Sequence, residues 1–126
     1  MVLLVVEDLI FLSKIQQTAQ AVGMKVEPVD PRQVEERTAQ AAVRAVIIDL
    51  NHRSGLAVEI VRALKGNPAS RQLPVVGFLS HIQTDLAAAA REAGCDLVLA
   101  RSAFTRQLPQ LLQKLSGEGI TPTLGS

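Results

Sequence analysis

The sequence predicts an open parallel β-sheet with helices on both faces, and three observations carry that prediction. Five short runs rich in valine, isoleucine and leucine recur along the chain, at residues 2–6, 25–29, 45–50, 75–79 and 97–100. The first, third and fourth are apolar at nearly every residue, which is how strands covered on both faces read, whereas a sheet with one wet face alternates. Between the runs, apolar residues return with helical period, so strand and helix alternate five times. Right-handed crossovers then give a doubly wound sheet, and five strands at this spacing favour the flavodoxin-like order 2-1-3-4-5.

Each helix has its own signals. In the first, Leu12, Ile15, Ala19 and Val22 recur on one face, Asp8 is a candidate N-cap and Gly23 supplies the stop. Asp30-Pro31 reads as an N-cap followed by proline at the first helical position, with Gln33 placed for a capping box and Val34, Ala41 and Ala42 as a weak apolar face. Ser54 precedes the stripe Ala57, Ile60, Val61 and Leu64, which ends near Gly66 and Pro68. Thr84 is a candidate cap for an alanine-rich helix running to Ala93 and stopped by Gly94. Phe104, Leu108, Leu111, Leu112 and Leu115 mark the last helix, with Pro109 expected in its first turn, where no intrahelical N–H bond is lost. Residues 116–126, built of glycine, threonine, proline and serine with few apolar residues, read as a disordered tail, leaving one domain over residues 1–115.

Composition narrows the function. A chain of 126 residues, 48% hydrophobic and 20% charged with a net charge of +1, has enough apolar residues for a core and no overall bias toward nucleic acid or acidic membranes. The single cysteine, Cys95, allows no intramolecular disulfide and reads as a small buried hydrophobe. With no Trp or Tyr and only Phe11, Phe78 and Phe104, stacking platforms for bases or sugars are largely absent. The first six residues are too short an apolar run for a signal peptide or a membrane span. A soluble, cytoplasmic protein that binds neither nucleic acid nor membrane is the expectation.

In a sheet of order 2-1-3-4-5, ligands bind at the carboxyl ends of the strands, where the order reverses between strands one and three. Glu7 and Asp8 end the first strand and Asp49 ends the third, so three acids are expected at one switch point. Like charges in a cleft raise carboxylate pKa values unless a cation relieves them. Magnesium prefers hard oxygens and keeps several waters, and Asp8, Asp49 and the carbonyl of Asn51 supply such a set. An aspartate beside bound magnesium can act as nucleophile toward an activated phosphoryl group, which makes Asp49 the candidate acceptor.

These residues resemble the receiver domains of two-component response regulators, over residues 1 to about 115. The acidic pair in VVED matches the family's pair after strand one, and Asp49 in VIIDLN matches its phosphate-accepting aspartate. The stretch through AVEIVRALK, the proline-led PVVGFLS, and AAAAREAGCDLVLARSAF follow the family in register. The resemblance implies a phosphorelay domain phosphorylated on Asp49 by a histidine kinase or a phosphotransfer protein, with magnesium held by Glu7, Asp8, Asp49 and the Asn51 carbonyl, and with a downstream protein target. It implies no metabolic enzyme, only self-phosphotransfer to Asp49.

Departures from the family fall on its switch. Its Thr or Ser at the end of strand four is Leu79 here, with Ser80 one residue late, and its lysine is Arg101. Ser102 stands for the following proline, Val98 for the switch aromatic, Ala57 for a glycine and Arg53 for a proline. An arginine binds phosphate with a planar fork but does not reproduce a compact ammonium. A second expectation is therefore a pseudo-receiver that keeps the fold and binds a protein partner without phosphorylation. More remote is a cobalamin-binding domain, suggested by His52-Arg53-Ser54-Gly55, in which Asp49 lies three residues before His52 where that motif needs two. His81 reads as a solvated loop residue. Leu9 and Ile10 exceed what one helical face buries, offering a hydrophobic contact to a partner or to a second copy in a homodimer.

Overall fold

The computed structural model describes residues 1–40, 42–80 and 83–116. Five strands, β1 (Val2–Val5), β2 (Val26–Pro28), β3 (Ala45–Asp49), β4 (Val75–Leu79) and β5 (Leu97–Ala100), form one parallel sheet in the order β2-β1-β3-β4-β5. Five α-helices connect and follow them: α1 (Leu9–Ala21), α2 (Val34–Thr38), α3 (Ala57–Gly66), α4 (Thr84–Ala93) and α5 (Arg101–Ser116). The α/β class, the strand order and the doubly wound topology are those read from the sequence. Ala41, His81 and the tail beyond Ser116 lie outside the described residues.

Period-two alternation sorts the strands into two cores. Leu3, Val5, Val46, Ile48, Val75 and Leu79 face α2, α3 and α4, while Val2, Leu4, Ala45, Ile47, Val76 and Phe78 face α1 and α5. The central strands β1, β3 and β4 are buried at every residue. The two edge strands are only partly covered, and Pro28, which lacks an N–H to pair, sits on the β2 edge where that costs least.

Several helix ends differ from the sequence reading. Asp30 does cap by accepting from the Arg32 amide, but the turn it starts, Pro31–Gln33, is a 3₁₀ helix, and α2 follows without a side-chain cap bond from Gln33. Val34 is buried, Ala42 is exposed, and Thr38 joins the interior instead. Thr84 is the first residue of α4 and not its cap, a position held by Gln83. Helix α5 begins at Arg101, directly after β5, so Pro109 lies in its third turn and not its first. Its ring therefore removes a bond to the Thr105 carbonyl, on the exposed side of the helix where water can satisfy that oxygen.

The ends of the strands far from the acids are tied by Lys65. Its Nζ donates to the carbonyls of Leu73 (2.8 Å) and Arg71 (3.1 Å) and pairs with Asp96 Oδ2 at 2.7 Å, and the same oxygen accepts from the Val75 amide. Gly94 ends α4 with φ +109°, and a Cβ there would meet Lys65 Cγ at 2.7 Å. Gly94→Ala therefore combines left-handed strain with displacement of that lysine. It is expected to lower stability by roughly 2 kcal/mol in urea unfolding, more than an alanine at an unstrained surface glycine. Beside it, burial pushes the Cys95 thiol up to about 11, so it is un-ionised at neutral pH and packs as the small hydrophobe expected.

Candidate functional site

The site lies at the carboxyl ends of β1 and β3, the switch point of the sheet. Asp8 follows β1 in extended conformation and caps α1, its Oδ1 accepting from the amides of Ile10 (3.0 Å) and Phe11 (3.1 Å). These bonds, the Phe11 amide foremost, hold its carboxyl below the ordinary carboxylate value, with help from Arg101. Asp49 is the last residue of β3 and is only 4% exposed. Its Oδ1 accepts from the Asn51 amide at 2.8 Å, which leaves Oδ2 facing the cleft. Burial pushes the Asp49 carboxyl up, against the pull of the Asn51 amide and of Arg101.

Arg101 joins these two acids. Because α5 starts directly after β5, the first side chain of the helix stands over the end of the sheet, with Nη1 3.5 Å from Asp8 Oδ2 and Nη2 3.7 Å from Asp49 Oδ2. The guanidinium lies 4.6 Å from the Phe11 ring centroid and 5.6 Å from that of Phe78. Phe104 completes the support, 4.8 Å from Phe78 and 5.9 Å from Phe11 between centroids. All three phenylalanines of the chain thus form one cluster under one cation. Positions 11, 78 and 104 come together only through the fold, and the one local pattern that points to the cluster is the alternation that puts Phe78 opposite Asp49 on the α1–α5 face.

The other expected residues are placed differently. Glu7 is exposed and its Oε1 accepts from the Arg53 amide at 2.6 Å, so two carboxylates converge where three were expected. Among the described residues no group of three acidic, histidine or cysteine side chains stands ready to hold a metal ion. Leu79 is 3% exposed and packs into the core under α3 and α4. Ser80 is exposed and is held through its backbone, its amide donating to Asn51 Oδ1 at 2.7 Å. His52 Nδ1 is 2.9 Å from Ser54 Oγ and accepts from the Ser54 amide, a local turn on the outside of the fold. Leu9 and Ile10 are 77% and 86% exposed, on the first turn of α1.

Asn51 does more than its carbonyl suggested. Besides receiving the Ser80 amide, its Nδ2 donates to Gln83 Oε1 at 2.7 Å, so one side chain ties the loop after β3 to the end of β4 and to the start of α4. Asn51→Ala removes both tethers and leaves the Asp49 bond, which uses the backbone. It is expected to cost about 1–2 kcal/mol and to speed hydrogen exchange at Ser80 and in the first turn of α4.

A divalent cation suits the donor set in kind. Asp8 Oδ2 and Asp49 Oδ2 are hard anionic oxygens not engaged by backbone amides, and both turn to the same positive group.

No family model and no curated protein matches the sequence. Solved structures do match the fold. A response regulator from Hahella chejuensis superposes with a TM-score of 0.81 at 18% identity, over 95% of this chain and 97% of that one. The receiver domain of a sensor histidine kinase from Pseudomonas aeruginosa, with a magnesium ion coordinated in its active-site cleft, gives 0.78 at 19% identity, over 93% and 97%. The phosphorylated cyanobacterial phytochrome response regulator RcpA gives 0.75 at 21% identity, over 91% and 89%. The chain therefore has the fold of response-regulator receiver domains. No helix among the described residues is long and apolar enough to cross a membrane.

Proposed function

We propose that this chain is a receiver-type signalling domain that takes a phosphoryl group on Asp49 from a histidine kinase or phosphotransfer protein and acts through a downstream protein. The observation that carries this reading is the state of Asp49: a nearly buried carboxylate at the switch point, one oxygen fixed by the Asn51 amide and the other turned toward Arg101. In the transfer, Asp49 Oδ2 attacks phosphorus, the phosphorus–nitrogen bond of the phosphohistidine breaks, and the imidazole nitrogen leaves with its electron pair. Fixing Oδ1 orients the nucleophile before the donor arrives. Arg101 supplies positive charge beside the incoming phosphoryl oxygens. Asp8 and Asp49, with the Asn51 carbonyl and with Glu7 at the rim, would hold magnesium, which when bound offsets the charge of the phosphoryl group.

A second reading is favoured by Leu79. In receivers that position carries a hydroxyl, whereas here an apolar side chain is locked in the core, so the device that converts phosphorylation into a changed surface is missing. On this reading the domain binds its protein partner constitutively.

The two separate in an ¹⁵N amide spectrum recorded with magnesium before and after beryllofluoride. A phosphorylatable domain shows shifts around Asp49 and Arg101 that Asp49→Asn lacks. Identical spectra with and without beryllofluoride would leave the constitutive module.

A further inference from the structure

Asp8 and Asp49 turn one oxygen each toward a common point, and the charge found there belongs to the chain itself. Arg101 contacts both oxygens, at 3.5 and 3.7 Å, while its Cζ lies over the rings of Phe11 and Phe78, 4.6 and 5.6 Å from their centroids. Its Nε is buried without a hydrogen-bond partner, so the side chain gives up one of its five donors to stay in this seat. A guanidinium tolerates that position because it is weakly hydrated and stacks on aromatic faces, which an ammonium does less well. The two rings and the two carboxylates hold the same group from two sides.

We infer that Arg101 is the resident cation of this pocket, neutralising the same two oxygens that a divalent ion would use, so that metal and guanidinium exclude one another. Arg101 is then the residue that sets the apparent metal affinity of the pocket. Divalent ions bind only the fraction of molecules in which the side chain has left its aromatic seat, and their apparent affinity falls by that fraction. The inference goes beyond the phosphoacceptor reading, and magnesium binding measured without any phosphodonor tests it separately.

The experiment titrates magnesium chloride alone into the wild type, Arg101→Gln, Phe11→Leu and the double variant Arg101→Gln/Asp49→Asn. Amide shifts of Asp8, Asp49 and Asn51 and the melting temperature are followed together. Arg101→Gln is expected to bind magnesium about tenfold more tightly than the wild type, and to show a larger magnesium-dependent rise in Tm than the wild type at the same concentration. Phe11→Leu keeps the charge and removes one ring face, and should tighten binding about threefold. The double variant should lose the gain. Equal or weaker binding by Arg101→Gln, or no binding by any of the four, overturns the inference. If Arg101→Gln does not fold at any magnesium concentration, Phe11→Leu decides, and unchanged affinity there overturns it.

Discussion

Phe78→Ala is expected to lower stability by about 3–5 kcal/mol, the range for removing a large aromatic side chain from a packed core. Phe78 is fully buried on β4, one of the three central strands, and it touches both other phenylalanines, with centroids 4.9 Å from Phe11 and 4.8 Å from Phe104. Those neighbours come from α1 and α5, so the cavity opens where two helices and the sheet meet. The same truncation removes part of the support under Arg101, 5.6 Å away, and stands opposite Asp49 across the β3–β4 ladder. Urea unfolding monitored by circular dichroism gives the loss. Leu9→Ala, at an exposed position in the same region, should stay within about 0.5 kcal/mol of the wild type. A cost for Phe78→Ala no larger than that would mean the aromatic cluster contributes little.

Asp49→Asn is expected to raise the melting temperature by a few degrees at neutral pH, with a gain that shrinks to nothing in acid. Burial is the main influence on this carboxyl and pushes its pKa above the usual 3.8, so the folded state holds the proton more tightly than the unfolded one. Ionisation then costs stability. The cost is absent below about 3.8, grows as pH rises, and is complete above the folded pKa. Asparagine carries no such charge and keeps an oxygen for the Asn51 amide, so the variant should match the wild type in acid and exceed it at neutral pH. Asp8 works in the opposite direction: its lowered pKa gives stability that is present above 3.8 and lost as pH falls through the folded value. Both proteins carry Asp8, so the part of its effect that comes from the Ile10 and Phe11 amides is common to both. Melting curves at several pH values test this, and a variant less stable than the wild type at neutral pH would show that the Arg101 pairing outweighs desolvation.

What could be read from the sequence was what short segments decide. Unbroken apolar runs marked the strands, Asp8 and Asp30 marked helix starts, Gly94 marked a helix end, and the order of elements then put Asp8 and Asp49 at one switch point. What could not be read depended on partners distant in sequence. Glu7 is diverted by the Arg53 amide, 46 residues away, which no local pattern announces. The start of α5 at Arg101 has no capping residue before it, so the sequence pattern alone predicts a shorter helix with Pro109 nearer its beginning. The three phenylalanines looked too sparse to build a platform, and they build one because the fold gathers them from α1, β4 and α5. The sequence points to the carbonyl of Asn51, while its side chain, spanning to Ser80 and Gln83, performs the tethering.

The role of Asp49 is tested most directly by the intact mass of the protein after incubation with acetyl phosphate and magnesium. The wild type should gain the mass of one phosphoryl group, lost again on treatment with hydroxylamine as an acyl phosphate requires, and Asp49→Asn should gain nothing. No gain by the folded wild type, or an equal gain by Asp49→Asn, would contradict Asp49 as the acceptor.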